Sequence, residues 1–413
     1  MMRLATDIPV TNPLSLRLSD VVFCLAVLCV MYADFLRHFL PDALGGALQH
    51  GIVFAGFAAA LFFRLIRGRL SAVDLWLVFL SAGLIAISLL GGSSRGLGVA
   101  VLSTALLVKL GYIASVSSAM SIDRLAMLFP VLAALQVLGL FLNMGLPDFF
   151  AGLAPQVYEW LDRSDIAGLQ LNVNRYGVLS ALLFVWYVFL RPRPVIALVM
   201  LVGLILSGSR SGLMLLVLFS AYFAVRSTSR RLAFSAVLVA LIVFPTLFLM
   251  TDWIDAGITL LRQSVTLETL YIRTIMLVHG ARLAMENFPF GAGGGVFGSP
   301  LSIGSHIYEQ IGIAHLPTIE EGHGINDSGI GSLLGEYGLA GLLLILISVA
   351  GLLQGCARGY LSRADIVFLL LVFVVGSLFR AMISSYYYAI VLILLTVMLC
   401  LHRRKHQTSQ ASV

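Results

Sequence analysis

The chain has 413 residues, 60% of them hydrophobic and only 11% charged, with a formal net charge of +6 and a mean hydropathy of +1.00. A soluble domain has no use for so much apolar surface. Continuous apolar runs parted by short polar links define a polytopic α-helical membrane protein and argue against a β-barrel, whose strands alternate. All but two of the 26 basic residues are arginine, and they cluster in short links, so the charge reads as a topology signal rather than a nucleic-acid surface.

The first twenty residues are polar, contain Pro9 and Pro13, and lack the basic-apolar-small pattern of a cleaved signal. The first apolar segment is therefore expected to remain as a helix. Spans are expected near 20–36, 46–63, 71–90, 97–118, 124–146, 174–190, 195–208, 211–225 and 232–250, then near 331–353, 364–380 and 386–401, twelve in all. With this count the clusters Arg64/Arg67/Arg69, Arg191/Arg193, Arg226/Arg230/Arg231, Arg358/Arg363 and Arg403/Arg404/Lys405 share one side with Arg3, Arg17 and Arg124. The positive-inside rule makes that side and both termini cytoplasmic. One missed span would invert half of the clusters. The expected organisation is one integral membrane domain: nine spans over 1–250, an external loop over 251–330, then three spans and a cytoplasmic tail over 331–413. Cys24, Cys29, Cys356 and Cys400 fall in or beside apolar runs, so neither a disulfide nor a zinc site is expected.

Two longer segments face the other side, Leu146 to Asn172 and Thr251 to Ile330. The second holds eight acids, Arg262, Arg273 and Arg282, and four of the eight histidines: His279, His306, His315 and His323. A long structured loop in a compact membrane protein is usually functional. Gly257 to Asn287 has helical character, and Arg262 and Arg273 lie about three turns apart, on one face. Phe288-Pro289-Phe290-Gly291-Ala292-Gly293-Gly294-Gly295 is a helix stop and turn. No internal repeat is visible. Lys109 is the only basic residue deep in a span, and Asp34 and Asp74 sit near span ends, where they read as snorkelling or headgroup contacts.

Four stretches combine groups that carry chemistry. Leu206-Ser207-Gly208-Ser209-Arg210-Ser211-Gly212-Leu213 interrupts a long apolar run. Its flanking segments, Pro194 to Arg210 and Gly212 to Val225, amount to roughly 24 Å and 21 Å of helix against a hydrocarbon core of about 30 Å. Either the helix ends carry the chain further, or the tip is sunk and lines a protein or water cavity. Arg210 reads as a snorkelling residue in a tight turn, or as an anion ligand whose planar fork grips phosphate and keeps its charge. Ser209 and the other small neighbours would let a bulky anion reach the backbone. The second stretch is Tyr271-Ile272-Arg273 followed by Glu286-Asn287 and the glycine turn; alone, Arg273 is an ordinary solvated helix residue. The third, Gly322-His323-Gly324-Ile325-Asn326-Asp327-Ser328 running into Gly335 to Gly341, puts acid–base groups at the external mouth of a span. It is equally a helix N-cap by Asn326, Asp327 or Ser328, with Glu336 facing the bundle. The fourth runs from Arg163 through Gly168 to Asn172-Val173-Asn174, at a span entrance.

In this order and spacing, the four stretches resemble the bacterial O-antigen ligase and polymerase superfamily. Leu206 to Leu213 resembles its glycine-serine-arginine turn. Arg273 with Asn287 to Gly293 resembles its arginine helix and asparagine-proline-glycine turn. Asp327-Ser328, nine residues, then Gly338-Leu339-Ala340-Gly341 is similar to the ligases' motif of histidine, a small polar residue, nine residues and two glycines three apart. Asn172 and Asn174 resemble the family's asparagine pair. The motifs span roughly 163–345 and the topology most of the chain. One departure matters: Asp327 stands where ligases have histidine, and the nearest histidine, His323, lies four residues earlier. Polymerase-type members often carry an acid there, which favours polymerase over ligase.

The resemblance implies a GT-C-like membrane glycosyltransferase acting at the outer face of the bacterial inner membrane, with the large loop periplasmic. Donor and acceptor would be undecaprenyl-diphosphate-linked glycans. Arg210 and Arg273 would hold the donor diphosphate, and Asp327 or His323 would deprotonate or orient the acceptor hydroxyl. Ser209, Arg163, Asn174, Glu286 and Arg262 would be secondary substrate ligands. In-line attack implies inversion at the anomeric carbon. No Asp-x-Asp site stands in the outer loops, so neither a metal nor a cofactor is expected. Membrane lipid is a partner, nucleic acid is not, and there is room for a chain-length regulator protein. The alternatives are an O-antigen ligase acting on lipid A-core, and a secondary transporter or flippase. The last predicts internal symmetry and charged or broken helices at mid-membrane, of which the sequence shows little.

Overall fold

The computed structural model describes residues 18–68, 70–92, 95–153, 166–226, 272–320, 325, 328–379 and 382–411. Among them all regular structure is helical. The principal helices are α1 (Leu18–Met31), α2 (Asp42–Ile66), α3 (Ala72–Leu90), α4 (Leu97–Leu107), α5 (Lys109–Ser118), α6 (Leu128–Gly145), α7 (Val173–Val185), α8 (Pro194–Leu206), α9 (Arg210–Arg226), α10 (Ile272–Glu286), α11 (Gly329–Cys356), α12 (Arg363–Phe379) and α13 (Tyr386–Ala411). Helices occupy every expected span except 232–250, which lies outside the described residues. Among the described residues, six segments are long and apolar enough to cross a membrane, or seven if α4 and α5, bent by 53°, form one span. The expected twelve crossings are therefore not established. Helix α8 has 13 residues, roughly 20 Å against a core of about 30 Å.

Helix α13 is buried on nearly every side from Tyr386 to Cys400 and forms the centre of the bundle. This accounts for its all-round apolar sequence. Glycines let the other helices approach one another, as membrane packing favours. A Cβ on Gly351 would stand 2.2 Å from Trp76, and one on Gly355 would stand 2.7 Å from Val73, so α11 lies directly on α3. In α7 and α9 a Cβ on Gly212 would stand 2.6 Å from the Gly177 carbonyl carbon.

Polar bonds gather the basic links at one end of the bundle. Arg64 donates to Asp74 at 2.6 Å and to Ser118 Oγ at 2.8 Å. Arg358 reaches the carbonyls of Ser118 and Met120. Arg403 pairs with Asp365 at 2.6 Å and Arg404 with Asp123 at 3.1 Å. Asp74 was expected to snorkel, and it does not. It is buried, pairs with Arg64, accepts from Ser115 Oγ at 2.6 Å, and closes a capping box with Ser71 that starts α3. The helix boundary hid this partner, because Arg64 belongs to the preceding helix.

Candidate functional site

The turn at 206–213 is a tight α8–α9 corner. Gly208 takes φ +59°, a left-handed conformation that favours glycine. Ser209 Oγ accepts from Gly212 N at 3.1 Å and so caps α9, while Ser207 Oγ donates to Leu204 O at 2.7 Å. Ser207 and Ser209 are buried and Arg210 is exposed. The covering comes from the fourth stretch. Ile166 N donates to Leu206 O at 3.0 Å, and Ser211 Oγ to Asn174 Oδ1 at 3.2 Å. Asn172 caps α7 through Arg175 N at 3.1 Å. The asparagine pair and the arginine turn thus form one unit.

The second and third stretches also interlock. Inside α11, Gly338 has φ +61° and ψ −162°, which breaks the helical ladder. The loop after α10 fills the gap: Ala292 N donates to Gly335 O and Gly293 N to Glu336 O, both at 2.8 Å, and Ala340 N to Pro289 O at 3.0 Å. A Cβ on Gly338 would lie 2.3 Å from Pro289 O. Helix α10 meets the first turns of α11 backbone to backbone, since a Cβ on Gly280 would stand 2.1 Å from Gly331 O. Ser328 caps α11 through Gly331 N at 3.2 Å. It is one of the three residues expected to cap; Asn326 and Asp327 lie outside the described residues.

These units wall a polar cavity of about 410 Å³ at the end of the bundle away from the basic links. Its lining includes Asn172 and Arg175 of α7, Gly298 to Leu301 of the glycine loop, and Gly329, Ser332 and Glu336 of α11. His50 of α2, Lys109 at the α4–α5 break, and Ser384 to Tyr388 complete it. The break is held by Leu110 N donating to Ile383 O at 3.2 Å; irregular backbone at membrane depth persists where it is buried in protein or lines a cavity. Arg175 pairs with Asp34, and its ring neighbour Tyr387 donates to the Arg175 carbonyl at 2.5 Å. Buried Glu336 accepts from Ser299 Oγ at 2.6 Å and Phe297 N at 3.2 Å, tying the glycine loop to α11. On the loop itself, Tyr308 Oη accepts from Gly298 N at 2.9 Å. Burial pushes this phenol up to about 12, so it stays neutral.

The expected site residues divide as follows. Ser209 and Asn174 come together beneath the turn, where both act as structural ligands. Arg210 begins α9. Arg273 lies in the first turn of α10, with its side chain outside what is described. Glu286 ends α10, exposed and paired with Arg282 at 2.7 Å. Arg163, Arg262, His323 and Asp327 lie outside the described residues. Sequence reasoning noted Lys109 without giving it a role and passed over Arg175, His50 and Tyr386. The usable signal was Lys109 itself, since an ionisable residue inside a span is a functional candidate by default. His50 and Tyr386 carry no periodic or motif signal.

A helical membrane protein that sets a half-buried lysine, a half-buried arginine and a buried carboxylate around one polar cavity has the groups to hold a charged polar substrate beside lipid. Residues 195–346 match the family model described as O-antigen ligase. Over that span, a little more than a third of the chain, the protein is similar to a family of membrane ligases and polymerases that transfer glycans between lipid-linked substrates. No curated protein matches the chain.

Proposed function

We propose that the protein is a polysaccharide polymerase, joining undecaprenyl-diphosphate-linked oligosaccharide repeats of O-antigen or exopolysaccharide at the outer face of the inner membrane. The observation that carries this reading is the cavity, whose walls come from the asparagine–arginine pair of α7, the glycine loop and the start of α11. The acceptor hydroxyl oxygen attacks the anomeric carbon of the donor, the bond from that carbon to the diphosphate oxygen breaks, and inversion results. The acceptor proton passes to Asp327 or His323, and the lipid diphosphate leaves with the negative charge. Arg210 and Arg273 stabilise that developing charge more than the ground state, which is what accelerates transfer. No step calls on a metal.

The ligase reading shares the arginines but wants histidine at position 327. The transporter reading gains one observation, the broken span carrying Lys109, and the family match weighs against it. The test uses Arg210→Ala and Arg273→Ala in a strain lacking the native gene. The expected result is loss of long surface polysaccharide with accumulation of lipid-linked single repeats. Unchanged chain length, with the protein present in the membrane, sinks the transferase reading. Asp327→Asn and His323→Ala, side by side, identify the base.

A further inference from the structure

The polar cavity and a separate apolar groove lie along the same three helices. On α2, His50 lines the cavity while Val53 and Gly56, about one and two turns on, line the groove. On α5 the succession is Lys109, then Ile113 and Val116; on α13 it is Tyr386, then Ile390 and Ile393. Helices α5 and α13 start at the cavity, α2 passes it at His50, and all three run toward the end where Arg64, Ser118 and Arg403 are bonded. The groove therefore continues the cavity toward the basic end. Helix α1 closes the fourth wall with Val27 and Val30. The groove encloses about 400 Å³, and its rim residues Val22 and Phe63 are 57% and 59% exposed, so it opens sideways where lipid lies.

The head of this arrangement is cationic. Lys109 Nζ lies 4.7 Å from the Tyr386 ring centroid, and the Tyr386 hydroxyl is hydrogen-bonded to His50 Nδ1 at 2.9 Å. Arg175, the other full cation of the cavity, is already paired with Asp34. Among the described residues no carboxylate pairs with Lys109. The acid of the cavity, Glu336, is engaged by Ser299 and Phe297. An ammonium group inside a helical bundle is costly without a counter-charge, and a bound anion would supply it.

We propose that the cavity and groove form one site for a polyprenyl diphosphate, with its diphosphate on Lys109 and its first isoprenoid units between α1, α2, α5 and α13. A single narrow groove suits one chain rather than the paired chains of a phospholipid, and the rest of the tail leaves past Val22 and Phe63 into the bilayer. This deepens the polymerase reading and rests on it in one respect. A polymerase of lipid-linked repeats holds two lipid diphosphates at once. With the donor on Arg210 and Arg273, and Arg210 lining neither space, this site takes the acceptor.

The test is direct binding of sugar-free undecaprenyl diphosphate to the full-length protein in phosphatidylcholine nanodiscs, with bound copies counted by native mass spectrometry. The wild type is expected to hold two copies. Lys109→Ala removes one copy, weakening that site roughly tenfold or more, as expected for a lost charge-assisted contact; Lys109→Arg retains it. Gly56→Phe removes the same copy by filling the groove. The backbone there accepts a side chain, since a Cβ meets only Val116, at 3.8 Å. The proposal is overturned if the wild type binds fewer than two copies, if Lys109→Ala and Gly56→Phe both keep two, or if excess phosphatidylglycerol displaces the Lys109-dependent copy. Failure of the polymerase reading appears elsewhere: Arg210→Ala leaves polysaccharide length unchanged in cells while Lys109-dependent binding persists.

Discussion

Gly338→Ala tests how the cavity wall is built. Gly338 sits at φ +61°, ψ −162°, a region essentially reserved for glycine, where a side chain costs ~1–3 kcal/mol. The new Cβ would also stand 2.3 Å from Pro289 O and 2.6 Å from Gly291 N. The loop must then move, and three backbone bonds are at stake: Ala292 to Gly335, Gly293 to Glu336 and Ala340 to Pro289. Each contributes about 0.5–1.5 kcal/mol. A loss on the order of 2–5 kcal/mol follows, or roughly 4–20 °C in Tm if ~2–4 °C per kcal/mol holds for a chain of this size. The assay is thermal unfolding of purified protein in detergent, followed by tryptophan fluorescence, beside glycan transfer in membranes. Transfer should fall too, because Gly338 sets the register that brings Glu336 against Ser299. Gly51→Ala is the control: its Cβ would meet nothing within 4 Å, so stability should hold or rise slightly. If Gly338→Ala melts with the wild type, the kink is not imposed by glycine and the interlocked-loop account is wrong.

Asp74→Ala should cost about 3–5 kcal/mol, the usual penalty for removing one partner of a buried pair, because it strands Arg64 against Ser115 and Ser118; a Tm within 2 °C of wild type would contradict this. Ser209→Ala removes the cap of α9 and should cost about 1 kcal/mol, read as a small Tm shift with Arg210-dependent transfer weakened, not abolished. His279 lies on α10, outside the spans. Burial first, then Arg282, holds its pKa below the ordinary value, against an opposing pull from Glu286. The unfolded chain therefore binds a proton near pH 6.5 that the folded chain refuses. Stability is intact above that value and falls as pH drops through it. Melts between pH 7.5 and 5.5 should show this slope in the wild type and a shallower one in His279→Phe; equal slopes would remove His279 from the account.

What could be read from the sequence followed from short-range physics. Apolar runs gave helices, arginine clusters marked one end, and Phe288 to Gly295 announced a helix stop that the chain obeys at Glu286. The order of the motifs was visible as well, but not their pairing. That Asn174 lies under Ser211, or that Gly338 makes room for Pro289, depends on contacts between residues far apart in the chain, which no period encodes. Asp74 was misread because its partner Arg64, though close in the chain, belongs to another helix. The number of crossings is left open for a different reason: hydropathy finds apolar segments, whereas crossing also needs length, and α8 does not have it alone.

The break between α4 and α5 favours the proposed transfer over transport. Discontinuous helices mark transporter sites because their half-helix ends and unwound backbone face the substrate while one bundle rocks against the other. Here the freed amide of Leu110 is taken by Ile383 O, the residue three before the start of α13. Helix α13 is the most enclosed element of the bundle, and its far end is pinned through Arg403 and Arg404 to Asp365 and Asp123. A rocking α5 would have to break its bond to this central post. The break instead holds Lys109 at a fixed height beside Tyr386, and a catalyst that must present two lipid-linked substrates to one another needs such preorganised charge more than it needs motion.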